Sequence, residues 1–394
     1  MSKTPLQSSQ RIAGVQSPII PVVAGWVRQH PGTLSLGQGV VYYGPPQAAL
    51  DAAREFGALP GDHHYGPVQG QPDLLEAIAR KLADDIGVIL GSDRRVMVTA
   101  GSNMAFLNAM LAIADPGDEI LLPLPWYFNQ EMAIRMIGCE PVGVPTGGDF
   151  QLDIEALRAA ITPRTRAIVT ISPNNPSGAV YPEADLGAVN ALCRENGLYH
   201  ISDEAYDYFT WDGARHFSPA AIEGAEAHTI ALYSLSKAYG FASWRIGYLV
   251  FPTRLEEALL KVQDTNLICA PRISQVAATA ALRVGKAHVA AQLPVMAEVR
   301  ERVFRELETV RSFCRIPEAK GAFYALLEVD SPLDSLTVAE RLIREHGVAV
   351  IPGHAFGLEE GCTLRIAYGA LQPDTAEAAL RRLTAGLTAL VREG

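Results

Sequence analysis

Apolar and polar positions alternate in two regimes along the chain. From about residue 72, short apolar runs are separated by stretches whose apolar residues recur at helical spacing. The pattern predicts helices over 74–82, 102–114, 127–137 and 183–196. It predicts strands over 95–99, 119–122, 165–171, 199–202, 229–235 and 246–251. This alternation argues for an α/β domain with a mostly parallel sheet. From Pro271 the rhythm changes. A helical stretch runs to about residue 312. A strand at 323–329, a helix at 338–345, strands at 348–351 and 364–367, and a closing helix at 375–392 follow. This reads as a smaller α+β domain. Residues 1–45 look irregular, rich in Gly and Pro, with short apolar runs such as 19–23. They are expected to pack with the C-terminal part, since chain ends often lie together. The expected division is 46–285 for the large domain, with 1–45 and 286–394 forming the small one.

Composition agrees with a two-domain enzyme. The chain has 394 residues, more than one core usually supports. Apolar residues make up 48% and charged residues 19%, which is not the balance of a disordered chain. The net charge of −10 argues against nucleic acid or an anionic membrane as the main partner. No apolar run approaches the ~18 residues of a membrane span, and no signal-peptide pattern is visible at the N-terminus. The five cysteines (139, 193, 269, 314 and 362) are widely spaced and form no Cys-x-x-Cys. A zinc site is therefore not expected. Buried thiols in a reducing cytoplasm are.

The chemistry concentrates at the ends of the predicted strands, where open α/β sheets bind ligands. Lys237 follows the apolar run 229–235, with Ser234 and Ser236 beside it and Arg245 eight residues later. A lysine at the end of a buried strand is costly unless it is neutral or covalently used. Such lysines form Schiff bases with carbonyl groups, and the serines and arginine would supply donors to a phosphate. Two other readings stand beside this one. Lys237 could be an ordinary surface lysine. Ser234 to Lys237 also spells Ser-x-x-Lys, as in penicillin-binding proteins, but the Lys-Thr-Gly that family needs is missing. Gly101-Ser102-Asn103 lies between a strand and a helix. It fits either a phosphate-binding helix start or a plain cap by Ser102. Asn175 sits in Asn-Asn-Pro-Ser-Gly, which is either a turn or an amide donor to a ring oxygen. Asp203 begins Asp-x-x-Tyr; it is either a helix cap or a partner for a protonated pyridine nitrogen. Tyr206 could face the same ligand.

The order and spacing of these motifs, together with Leu364-Arg365-Ile366-Ala367-Tyr368, resemble the class I/II aminotransferases of fold type I, which depend on pyridoxal 5'-phosphate (PLP). The resemblance covers nearly the whole chain. Leu36-Gly-Gln-Gly-Val-Val-Tyr-Tyr, Ile268-Cys-Ala-Pro-Arg-Ile-Ser-Gln and Val350-Ile-Pro-Gly look most like the aromatic/methionine aminotransferase subgroup. The resemblance implies a large domain built on a mostly parallel seven-stranded sheet between helices, plus the smaller α+β domain. It makes Lys237 the Schiff-base lysine and proton shuttle, and Asp203 the partner of the pyridine nitrogen. Asn175 and Tyr206 become partners of the ring oxygen. Gly101, Ser102, Asn103, Ser234 and Arg245 form the phosphate cup. Tyr127 stacks on the ring, with Trp126 as the alternative. Arg365 clamps the substrate α-carboxylate, with Gly39 near it. Tyr65, in Tyr-Gly-Pro-x-x-Gly, reaches the phosphate of a neighbouring subunit, which implies a homodimer.

The implied reaction moves the amino group of an amino acid donor to a 2-oxo acid by a ping-pong route. The expected donor is neutral: aromatic, methionine-like or aliphatic. Residues 264–267, where aspartate-specific relatives place a second arginine, carry no cation, although Arg272 lies close by in sequence. Residues 19–23 and the pairs Tyr42-Tyr43 and Phe323-Tyr324 are candidate walls of an apolar pocket. C–S β-lyases and aspartate-type aminotransferases remain alternatives on the same fold. So does a PLP-binding regulatory domain without turnover, for which the chain has no room to carry a DNA-binding domain.

Overall fold

The computed structural model describes residues 8–392. Seven strands form the central sheet, in the order Arg94–Thr99, Gly247–Pro252, Thr229–Ser234, Tyr199–Asp203, Thr165–Ile171, Glu119–Pro123, Glu140–Val144. All run parallel except Gly247–Pro252, which is antiparallel to both of its neighbours. Both faces of the sheet are covered, which is why its strands read as continuous apolar runs. Alternate residues go to opposite sides. Met97, Ile120, Leu122, Val169 and Leu249 pack against Phe106, Met110, Ile134 and Leu259. On the other face, Val98 and Val250 meet Ile78 and Ala277, and Leu121 and Ile168 meet Leu186 and Val189.

The smaller domain is built on the antiparallel sheet Ile351–Pro352, Cys362–Ala367, Tyr324–Val329, Cys314–Arg315. Its core includes Val299 and Val303 of the helix Leu293–Leu307, Leu342 of Ser335–His346, and Leu383 and Leu387 of Pro373–Arg392. The N-terminal segment joins it: Leu34–Ser35 pairs in parallel with Val348–Ala349.

Three expectations about the elements change. The segment 1–45 is not irregular throughout, because Ile19–Gln29 is a helix. Pro21 obscured it, yet a proline in the first turn costs no intrahelical hydrogen bond. Ile19 and Val23 then bury against Phe128 and Phe356. The long helical stretch after Pro271 breaks into Arg272–Val284, Lys286–Ala290 and Leu293–Leu307, with Gly285 at φ +71 marking the first break. The run 348–351 divides between two sheets. Of the cysteines, 139, 193, 314 and 362 are buried, whereas Cys269 is only half-buried; all five are free thiols. Among the described residues no helix is long and apolar enough to cross a membrane.

Candidate active site

The carboxyl ends of the parallel strands converge on a cavity of about 360 Å³ between the two sheets. Thr229–Ser234 ends in Ser234, which caps the short helix Leu235–Ala238, its Oγ accepting from the Ser236 amide at 3.1 Å. That turn aims Lys237 into the cavity. Tyr199–Asp203 delivers Asp203, and Thr165–Ile171 leads to Asn175. The antiparallel strand Gly247–Pro252 begins at the same edge, so Arg245, just before it, arrives beside the others. The small sheet supplies Tyr324 and Arg365 from neighbouring strands. The N-terminal segment adds Ile20, Gln38, Gly39 and Val40.

The Lys237 ammonium donates to the Gly39 carbonyl. Burial pulls its pKa down to about 8, and Arg365 and Arg245 push the same way, while Asp203 opposes them. Asp203 is buried. Its Oδ2 accepts from Gln130 Nε2 at 2.8 Å and its Oδ1 from the Ala205 amide at 3.2 Å. Burial still raises its pKa to about 6. Tyr206 accepts from Asn175 Nδ2 at 3.4 Å and shares a hydrogen bond of 2.8 Å with Tyr324. Burial holds both phenols above their usual range, Tyr324 at about 12. Tyr127 lines the cavity, and its hydroxyl accepts from Asn129 at 2.8 Å. Trp126 does not line it, and packs instead against the sheet core beneath.

Arg365 is 2% exposed. Its Nη1 donates to Asn175 Oδ1 at 3.0 Å and its Nη2 to the Gly37 carbonyl at 2.6 Å, while Nε is buried without a partner. Its guanidinium lies 4.8 Å from the centre of the Tyr324 ring. Burial opposes its charge, but a guanidinium stays protonated in proteins. Among the described residues no carboxylate pairs with it. A buried cation left in this state is costly unless a ligand completes it.

The solvent-facing side is an anion cradle. Gly101, at φ +83, caps the helix Ser102–Ile113, so the cap is the glycine and Ser102 is the first helical residue. A side chain at Gly101 would run into the Arg245 guanidinium, 2.3 Å from the position of a Cβ. Arg245 is held by the carbonyls of Ala242 and Ala100, at 3.0 and 3.3 Å. A helix start, two serines, Asn103 and a guanidinium are the donors a phosphate takes.

Several expected residues lie elsewhere. Tyr42 and Tyr43 do not line the cavity: Tyr42 bonds to Gln292, and Tyr43 donates to the carbonyls of Lys237 and Ala238 behind it. Phe323 belongs to the small-domain core, whereas Tyr324 does line the cavity. Tyr65 is 80% exposed and outside the cavity of its own chain. Arg272 is also outside, held by the carbonyls of Gly61 and His64. Gln38 and Gln130 were not anticipated, whereas Ser236, one of the serines beside Lys237, does line the cavity. A lone glutamine carries no signal in sequence, although Gln130 lies one helical turn beyond Tyr127.

The profile of the family "Aminotransferase class I and II" matches residues 31–383. The chain belongs to this family. Its members depend on PLP, and the cavity fits that group: it joins a phosphate cradle, a buried lysine and a single carboxylate beside an uncompensated guanidinium. The aminotransferase is 33% identical to the aromatic aminotransferase ISS1 of Arabidopsis thaliana over 395 residues, covering 98% of each chain. It is 34% identical to the aspartate aminotransferase of Pyrococcus abyssi, covering 85% of this chain and 87% of that one. Among solved structures, the aspartate aminotransferase from Thermus thermophilus with maleate superposes with a TM-score of 0.89 at 32% identity, covering 97% of this chain and 100% of that one.

The lysine's environment predicts a pH signature in the cofactor-free aminotransferase. Its pKa of about 8 lies below the ordinary 10.5. Between those values the unfolded chain binds more protons than the folded one, so this group makes stability rise with pH. The cost of burying the ammonium is fully present below pH ~8 and gone above ~10.5. Lys237→Met should remove that rise. Urea midpoints of parent and variant, compared from pH 7 to 10.5, should draw together as pH increases. A constant difference would show that the lysine is not depressed.

Proposed function

We propose that this aminotransferase takes its amino group from a neutral amino acid with an apolar, aromatic or thioether side chain and passes it to a 2-oxo acid. The observation that carries the reading is the composition of the cavity wall. Once Lys237 and Arg245 are assigned to the cofactor, Arg365 is the one remaining cation among the described lining residues. It suits the α-carboxylate that every amino acid and 2-oxo acid shares. The rest of the wall includes Ile20, Val40, Phe128 and Ile171, which offer a distal carboxylate nothing.

In this reading PLP, when bound, supplies the electron sink that makes the substrate's Cα proton acidic. Lys237 would hold the cofactor through its amine and, when free, would be the base placed to take a proton from the substrate's Cα and return it. A pKa near 8 suits a base working close to neutral pH. Asp203 keeps the proton on the ring nitrogen. Asn175 and Tyr206 face the ring oxygen, with Tyr324 orienting the Tyr206 hydroxyl. Tyr127 stacks on the ring. Gly101, Ser102, Asn103, Ser234 and Arg245 hold the phosphate, and Gly39 keeps the substrate carboxylate close to Arg365. Arg365 would hold that carboxylate in both half-reactions, and the kinetics would be ping-pong because the first 2-oxo acid leaves the site before the second enters it. The cytoplasm is the proposed location, in keeping with the free thiols.

The active unit we propose is a homodimer, in which Tyr65 of the partner subunit completes the phosphate cradle. Support comes from the exposed ring of Tyr65 and from Arg245 and Asn103, which face solvent in the single chain. This arrangement also gives the aspartate-type reading its one specific support. Arg272 is tied to the carbonyls of Gly61 and His64, just before Tyr65, so it would travel with that segment toward the partner's site.

Two measurements test these points. Tyr65→Ala mixed with Lys237→Ala should recover activity in hybrid dimers, because one of the two shared sites is then intact. No recovery after verified subunit exchange would rule out a shared site. Comparing kcat/KM for phenylalanine, methionine, tryptophan and aspartate, aspartate should be at least about tenfold poorer, about 1.4 kcal/mol in transition-state binding. If aspartate wins by that margin, the neutral-donor reading fails and Arg272 becomes the distal clamp.

A further inference from the structure

We propose that Gln130 is a positioning residue for Asp203: its side-chain amide holds the Asp203 carboxylate ionised and aimed into the cavity, and one buried water molecule fixes the sense of that amide. The inference rests on the assignment of Asp203 to the cofactor's ring nitrogen. It concerns a residue that does not itself face the ligand, since Gln130 does not line the cavity.

Gln130 is 2% exposed, on the helix Phe128–Met136. Its Nε2 donates to Asp203 Oδ2 at 2.8 Å, the one side-chain donor that Asp203 has among the described residues. Among the described residues, the only other hydrogen bond to that carboxylate comes from the Ala205 amide. A glutamine amide is neutral at every working pH, so it stabilises the carboxylate without bringing a titration of its own. Its orientation matters, because the opposite sense would set an amide oxygen against a carboxylate.

Behind Gln130 lies a second, very small cavity of about 10 Å³, lined by Trp126, Gln130, Asn174 and Tyr181 among others. That is room for one water molecule. Two buried polar atoms of its lining residues have no partner within the protein: Gln130 Oε1, an acceptor, and Trp126 Nε1, a donor. A water accepting from the indole and donating to the amide oxygen satisfies both. It leaves the amide NH2 pointing at Asp203. Trp126 thus contributes from beneath, although it does not touch the ligand cavity.

The charged and titratable groups that act on Asp203 come from several elements. Glu204, next in sequence, raises its pKa, and Lys237 lowers it. The Tyr127 and Tyr206 phenols are coupled to it as well. Burial dominates and brings the carboxyl up to about 6, with the Gln130 and Ala205 hydrogen bonds working downward. Without the Gln130 donor, Asp203 would be protonated at a higher pH, and a protonated carboxyl cannot pair with a protonated ring nitrogen.

The test is the equilibrium binding of PLP to the cofactor-free protein from pH 6 to 9, for the parent, Gln130→Leu and Gln130→Glu. The ratio of variant to parent Kd cancels the cofactor's own ionisations. For Gln130→Leu it should grow by about fivefold on going from pH 9 to pH 6, the effect of a one-unit upward shift in an Asp203 carboxyl that titrates at about 6. Gln130→Glu keeps the shape of the side chain, but its carboxyl can take up a proton as the pH falls and donate it to Asp203, so its ratio should grow less than that of Gln130→Leu. On an Asp203→Asn background, Gln130→Leu should leave the ratio independent of pH. A merely structural role would weaken binding equally at all pH values. A flat ratio in both variants, or a pH-dependent ratio that persists with Asp203→Asn, overturns the proposal. A parent that binds no PLP overturns the cofactor assignment as well.

Discussion

Three cations and one carboxylate line the cavity: Lys237, Arg245 and Arg365 against Asp203. This imbalance is the constraint on which the rest of the site depends. Buried charge of one sign is tolerated when a ligand of the other sign completes it, or when one group gives up its charge. Both happen here. Lys237 is pushed by burial, and then by two neighbouring guanidinium groups, toward the neutral amine that nucleophilic and base chemistry need. The two guanidinium groups stand at different depths, Arg245 at the solvent-facing cradle and Arg365 deep between the sheets. A phosphate and a carboxylate are what such a pair of positions would take.

The fold delivers these groups through a division of labour. Parallel strands bring Asp203, Asn175 and Lys237 to one edge, and the single antiparallel strand brings Arg245 to the same edge because it starts there. Its Gly247 packs where a Cβ would sit 2.7 Å from the Ser102 amide nitrogen, which lets the two halves of the anion cradle meet. The loop after Asp203 is pinned by a buried ion pair, Lys81 Nζ to Asp207 Oδ2 at 2.5 Å. The small domain adds Arg365 and Tyr324 from two hydrogen-bonded strands, so the guanidinium and the phenol pair keep a fixed relation. Gly39 must be glycine for a similar reason: a Cβ there would lie 2.2 Å from the Tyr324 hydroxyl.

Much of this was legible in the sequence, and the reasons for the exceptions are physical. Apolar runs that are buried on both faces identify the sheet strands, and polar residues just beyond their ends identify the ligand side. Edge and terminal elements carry weaker signals. Glu140–Val144 sits at the sheet edge with a mixed burial pattern, and Ile19–Gln29 hides a proline in its first turn. Tyr42 and Tyr43 looked like pocket walls because aromatic pairs often are, but their hydroxyls have partners that turn them away. Gln130 was beyond reach, since its importance lies in a contact with Asp203 across 73 positions of sequence. Tyr65 and Arg272 lie outside the cavity of their own chain, so the roles proposed for them need a second subunit.

The account stands or falls on Lys237 as the group that holds the cofactor. The chain has five other lysines, Lys3, Lys81, Lys261, Lys286 and Lys320. Lys81 is already committed to Asp207, and Lys261, Lys286 and Lys320 are paired with carboxylates away from the cavity. Borohydride reduction of the purified, PLP-loaded enzyme, followed by peptide mapping, measures this directly. The account predicts a pyridoxyl group on the peptide containing Lys237 and on no other. A label on any other lysine, or a yellow protein whose colour survives reduction with no labelled peptide, would contradict it.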